Sequence, residues 1–286
     1  MVRIKALTLA AVLCALFAAE SGWAQSQASD EEVLKLTCSR YTFFQATDLG
    51  RWFEERRPGV KVVVTYQDQS DHFHAITQGS CDALVTLGGL DPEVKTEVKE
   101  VGGNLEEQTV GWGGIVLVTN RDNPVNELTL DQVRKIFLGE YRNWTQLGGK
   151  FEPIITLSRD ETISGTARFL EQSLLQGHPV HQQTVRLLDH DIARAVRERP
   201  GAIADARYVE AVRARSKGFL KILGLKHDGD SPVIMPTIDT IQNCTYPLSA
   251  PMVMTYDTRL AKPGLREFVS FWARRGIVKH YSEVAR

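Results

Sequence analysis

The residues Leu157-Ser158-Arg159-Asp160-Glu161-Thr162-Ile163-Ser164-Gly165-Thr166 hold the types and spacing that could do chemistry in this chain. A guanidinium such as that of Arg159 offers paired, charge-assisted hydrogen bonds. Ser164 can cap a helix, and Gly165 lets a ligand approach the backbone. The first N–H groups of that helix carry the positive end of its dipole. Together they suit a small oxyanion. Ser-Gly-Thr by itself is only a helix cap; the preceding Arg159 turns it into a candidate anion loop. Other constellations carry less. His72 and His74 would share a face on a strand but diverge on a helix, and no third ligand lies at a telling spacing, so no metal site is expected. No Gly-x-Ser-x-Gly, His-Glu-x-x-His or Gly-x-x-x-x-Gly-Lys run occurs, so neither catalytic residues nor a cofactor are expected.

Elements must position that loop. Ile154, Ile155 and Leu157 read as the strand before it, and Ala167, Leu170 and Leu174 as the helix after it. Strand-like and helix-like segments alternate throughout, which indicates an α/β fold with mostly parallel sheets. Strands are predicted over 33–37, 60–66, 82–86, 115–119, 202–204, 220–225 and 251–256. Helices are predicted around Leu49, Trp52 and Phe53, over 72–78, 189–199 and 265–272, and after two start signals. Asp91 should cap the first of these, with Pro92 at the first helical position. Thr129-Leu130-Asp131-Gln132 reads as a capping box for the second. Trp112 and Trp144 are read as packing residues, and the arginines over 194–199 as a solvated helix face.

The chain has 286 residues and a formal charge of −1. Residues 1–24 read as a signal peptide: Arg3 and Lys5 make a basic start, 6–19 are almost wholly apolar, and Gly22-Trp23-Ala24 offers small residues at the cleavage positions. The apolar run is too short for a permanent anchor, and Leu13 argues against lipidation at Cys14. Loss of Arg3, Lys5 and Glu20 would leave the mature chain, from Gln25, at −2. Such a chain has no net attraction to nucleic acid or an anionic membrane. A soluble, exported, periplasmic protein without membrane insertion after signal removal is expected. Cys38, Cys81 and Cys244 remain. In an oxidising compartment one disulfide and one free thiol are expected. The pairing stays open, with Cys38–Cys81 slightly favoured by proximity.

From 110 to 174 the chain resembles the periplasmic phosphate-binding protein family of ABC importers. The resemblance rests on Gly113-Gly114-Ile115-Val116-Leu117-Val118-Thr119-Asn120, Asn123-Pro124-Val125, Leu128-Thr129-Leu130-Asp131-Gln132-Val133, Ile136-Phe137-Leu138-Gly139, Asn143-Trp144, Leu147-Gly148-Gly149 and the anion loop itself. Further matches are Pro200-Gly201-Ala202-Ile203, Tyr246-Pro247-Leu248-Ser249 and Glu267-Phe268-Val269 with Phe271. The resemblance implies a two-lobed type 2 periplasmic binding protein with two mixed, mostly parallel sheets flanked by helices. Lobe 1 would comprise 25–112 plus 243–286, and lobe 2 would comprise 113–242, with hinge crossings near 110–114 and 238–244.

The resemblance further implies ligand contacts from Ser39, Thr42, Thr86, Arg159, Ser164, Gly165 and Thr166. Arg159 is expected to be a cleft cation without a buried partner, so that Arg159→Ala would abolish anion binding at little cost in stability. The chain also departs from the family. Leu87-Gly88-Gly89 stands where the family has an acid that discriminates protonated phosphate from sulfate. Gln67-Asp68-Gln69-Ser70-Asp71-His72 replaces a Gly-Ser-rich loop, and one extra residue separates Arg159 from Ser164. The expected function is capture of a small inorganic anion, phosphate first, by a monomer that serves an inner-membrane ABC permease. The alternative is a binding-protein-like module without transport duty, acting as an envelope sensor or partner-binding protein.

Overall fold

A computed structural model describes residues 31–67, 72–159 and 164–275. The signal-peptide reading of 1–24 and the extra residue between Arg159 and Ser164 lie outside the described residues.

Leu34, Leu36 and Cys38 alternate inward along β1 (Glu32–Cys38). The chain continues through α1 (Phe43–Arg56), β2 (Val60–Tyr66), α2 (His72–Thr77), β3 (Ala83–Leu87) and α3 (Pro92–Glu100). β3 is buried at all five positions, as expected for a strand covered on both faces. The 16-residue strand β4 (Leu105–Asn120) then leads to β5 (Glu127–Thr129), α4 (Leu130–Phe137), β6 (Ile155–Ser158) and α5 (Gly165–Ser173). Next come β7 (Val185–Arg186), α6 (Asp189–Glu198), β8 (Ala202–Arg207), α7 (Tyr208–Ser216), β9 (Leu220–Ile222) and β10 (Gly224–Lys226). α8 (Ile238–Gln242), β11 (Ser249–Asp257) and α9 (Pro263–Arg275) complete the order.

The main sheet runs β2-β1-β3-β11-β4-β8-β6-β7, with β9 also on β4. β1/β3, β6/β8 and β6/β7 are parallel, whereas β11 pairs antiparallel with both β3 and β4. The long strand β4 changes partners part-way. Its residues from Leu105 to Gly114 face β11, and from Ile115 to Asn120 they face β8 and β9. Two glycines mark the change of partner. A Cβ on Gly113 would stand 2.4 Å from the Tyr41 hydroxyl, and one on Gly114 would stand 2.3 Å from Ile241 Cδ1. Side chains from the β1–α1 loop and from α8 therefore press directly on the backbone at this point.

Several local expectations hold. The capping box at α4 forms, with Thr129 accepting from Gln132 N–H and Gln132 accepting from Thr129 N–H. Trp144 is buried and donates to the Gly201 carbonyl at 3.0 Å. Two others are corrected. Asp91 occupies the N-cap position of α3 but makes no side-chain cap bond; its carboxylate is engaged by α5 instead. Cys38, Cys81 and Cys244 are all free thiols. Cys38 packs in the larger core, while Cys81 joins a smaller cluster with Ala75, Ile76, Leu84, Leu90 and Val98, so the favoured pair is divided between two apolar clusters.

Candidate functional site

Parallel strands end together where β1 and β3 meet the β1–α1 loop. Ser39 N–H donates to the Val85 carbonyl at 3.1 Å, and the Thr42 hydroxyl donates to the same carbonyl at 2.6 Å. The Ser39 and Thr42 hydroxyls lie 3.2 Å apart. Thr86 follows Val85 directly. It is 0% exposed, and its hydroxyl has no hydrogen-bond partner among the described residues. A buried, unsatisfied hydroxyl costs about 1–3 kcal/mol unless something binds it.

The α5 start approaches from the other part of the sheet. Ser164 is its N-cap, accepting from Ala167 N–H at 3.5 Å, and the Ser164 and Thr166 hydroxyls lie 2.9 Å apart. Gly165 and Thr166 open the helix, where the first N–H groups have no partner within the helix itself. α5 packs against β3. Gly88, with φ +83°, allows this approach: a Cβ there would stand 3.3 Å from the Phe169 ring. Asp91 pairs with Arg168 and accepts from Gln172 at 3.4 Å, tying the β3–α3 loop to α5. Ser39 and Thr42 are thus joined through the Val85 carbonyl, Thr86 is the next residue along β3, and α5 packs against the same strand.

Arg159 behaves differently from the sequence expectation. It is 3% exposed, and its Nη1 donates to Asp205 Oδ2 at 2.6 Å and to the Asp205 carbonyl at 3.0 Å. Asp205 is 0% exposed and also accepts from Ser158 Oγ at 3.0 Å. The Arg159 carbonyl accepts from Arg186 at 2.7 Å, and Glu210 stands 3.8 Å from Nη2. The expectation of a cation without a buried partner is therefore wrong. Ala204-Asp205-Ala206 places an acid inside a short apolar strand, and this buried carboxylate needs a fixed cation. That isolated acid in an apolar run is the sequence signal for the pair.

Other residues join the two halves of the site. Arg207, at the end of β8, pairs with Glu210 and donates to the Arg40 carbonyl at 2.8 Å. The Arg40 side chain lies over the Tyr66 ring, 4.8 Å from its centre. Asp82, just before β3, accepts from Lys35 N–H and pairs with Lys262 at 2.8 Å. Among the described residues no group of three His, Cys, Asp or Glu side chains could hold a metal, and no helix is long and apolar enough to cross a membrane.

A mixed sheet flanked by helices, with hydroxyls at the carboxyl ends of β1 and β3 and a helix start after β6, has the α/β architecture in which binding proteins hold ligands at strand ends. The PBP superfamily domain model matches residues 25–275, and the chain belongs to that superfamily, one of binding proteins rather than enzymes. The chain is 24% identical over 277 residues to Protein SphX of Synechococcus elongatus, covering 93% of this chain and 81% of that one. It is 24% identical over 151 residues to the phosphate-binding protein PstS of Bacillus subtilis, covering 53% of this chain and 49% of PstS, about half the length of that relative. A solved ABC-type phosphate transport receptor from Vibrio cholerae shares the fold with a TM-score of 0.70 at 21% identity, covering 87% of this chain and 98% of that one.

Proposed function

We propose that this chain captures a small oxyanion, phosphate first, between the β1–α1 and β3–α3 loops and the start of α5, and delivers it to an ABC permease. The observation that carries the reading is the buried Thr86 hydroxyl, unpartnered among the described residues, where α5 packs onto β3. Ser39, Thr42, Ser164, Gly165 and Thr166 supply the remaining hydroxyl and N–H donors. Arg159 adds positive potential behind the helix start while Asp205 fixes its orientation. The printed names of its relatives, phosphate-binding protein and phosphate transport receptor, support phosphate as the first anion to test. The protein acts as an exported, periplasmic binder rather than a catalyst, and as a monomer.

The two lobes are 25–112 with 243–286, and 113–242. The change of partner along β4 at Gly114 supports this division. Hinge closure would then exclude water from the anion.

Calorimetric titration of ligand-stripped protein with phosphate, sulfate, molybdate and small carboxylates tests the proposal. Phosphate is expected to bind; absence of heat with every anion would overturn it. Because Leu87-Gly88-Gly89 supplies no acid to accept a proton from phosphate, discrimination against sulfate is expected to be weak.

A further inference from the structure

A cavity of about 230 Å³, lined by none of the hydroxyl residues of the candidate site, lies between α6, α7 and the segment leading into β9, with Arg159 and His190 also on its wall. One face of α7 lines it: Glu210, Ala211, Arg213, Ala214 and Lys217 recur at the three- and four-residue spacing of a helix. Ala206, Ala211 and Ala214 leave the space open because their side chains stop at Cβ. Ile192, Ala193 and the Phe219 ring make the opposing walls apolar.

The charges of this cavity are unequal. Glu210, the acid among its lining residues, is compensated by Arg207 and stands 3.8 Å from Arg159. Arg213 and Lys217 are exposed at the rim, and neither has an ion-pair partner among the described residues. An apolar chamber with two uncommitted cations at its mouth matches a ligand with an apolar body and one anionic end. The volume fits about ten non-hydrogen atoms.

We infer that this cavity is a second ligand site, selective for small aromatic or branched carboxylates, whose carboxylate meets Arg213 and Lys217 while the body fills the space over Ala211 and Ala214. Glu210 lines the cavity and holds Arg207, which reaches the Arg40 carbonyl beside Ser39. An occupant would therefore touch the network that joins the two halves of the anion site. The two sites share none of the hydroxyl donors and meet at Arg159, whose guanidinium is held by Asp205, so loss of benzoate binding and loss of phosphate binding are separate outcomes.

Benzoate serves as the probe, titrated by saturation-transfer NMR into the exported chain with and without saturating phosphate. Benzoate is expected to bind in both conditions. Arg213→Glu combined with Lys217→Glu, two exposed positions without structural partners, is expected to weaken it about tenfold or more. Three results would overturn the inference. The first is no binding up to about 10 mM benzoate, a level that mostly fills even a ~1 mM site. The second is full competition by phosphate, which would put benzoate in the anion cleft. The third is acetate binding as tightly as benzoate, which would leave the apolar walls without a role.

Discussion

Thr86 and Arg159 show how two polar side chains of one candidate site differ energetically. The Thr86 hydroxyl makes no hydrogen bond among the described residues, so Thr86→Val keeps the side chain's shape and removes only an unsatisfied hydroxyl. Folding stability is expected to stay level or rise slightly, while phosphate affinity falls about tenfold, the weight of one hydrogen bond to a charged ligand. Calorimetry and urea unfolding on the same sample would separate the two effects. Arg159→Ala is expected to do the reverse of what an exposed cation would. It strands Asp205 in the core and costs about 3–5 kcal/mol of stability, read from the urea midpoint. The thiols make a third case. Burial pushes the Cys81 thiol up to about 11 and Cys38 higher still. With a mature chain starting at Gln25, a thiol reagent at neutral pH is expected to label Cys244 alone, and all three cysteines after denaturation. Above the ordinary thiol value of 9.0 the unfolded chain gives up the Cys81 proton while the folded chain keeps it to about 11, so stability falls as pH rises through that window. Cys81→Ala should flatten that fall.

At the scale of elements, the α5 helix and the β3–α3 loop are held together by Arg168, Gln172 and Asp91. Both ends of the Arg168–Asp91 pair are partly exposed, so its loss should cost under about 1 kcal/mol of global stability. If the oxyanion lies between these elements, Arg168→Gln loosens the closed arrangement. Phosphate release is then expected to quicken severalfold in stopped-flow displacement, with the urea midpoint nearly unchanged. Most elements were legible from periodicity and punctuation: β2 spans 60–66 as read, and Thr129 forms its capping box. Asp91 departs from the cap role for a physical reason. A carboxylate at an N-cap can serve the helix or a cation on another element, and only packing brought Arg168 within reach.

For the whole molecule, an anion bound across the change of partner along β4 should stabilise the fold by mass action. At one hundred times its dissociation constant the gain is about 2.7 kcal/mol. A thermal-melt series against phosphate concentration checks this, and a melt that ignores phosphate would contradict the binding role. Small-angle scattering should show a smaller radius of gyration with phosphate if the two lobes close.

By itself the sequence determined the α/β class, most of the elements and the caps at Thr129 and Ser164, because period, turn chemistry and caps act over a few neighbouring residues; α7, α8 and the short strands β5 and β7 carried too little local signal to read. The tertiary structure alone decided who partners whom. It turned Arg159 inward onto Asp205, 46 positions away, and drew Asp91 to Arg168 across the sheet. It also sorted Cys38 and Cys81 into separate cores and opened the cavity beside α7. A charge finds its partner through packing over long sequence distances, and local pattern holds no record of that distance.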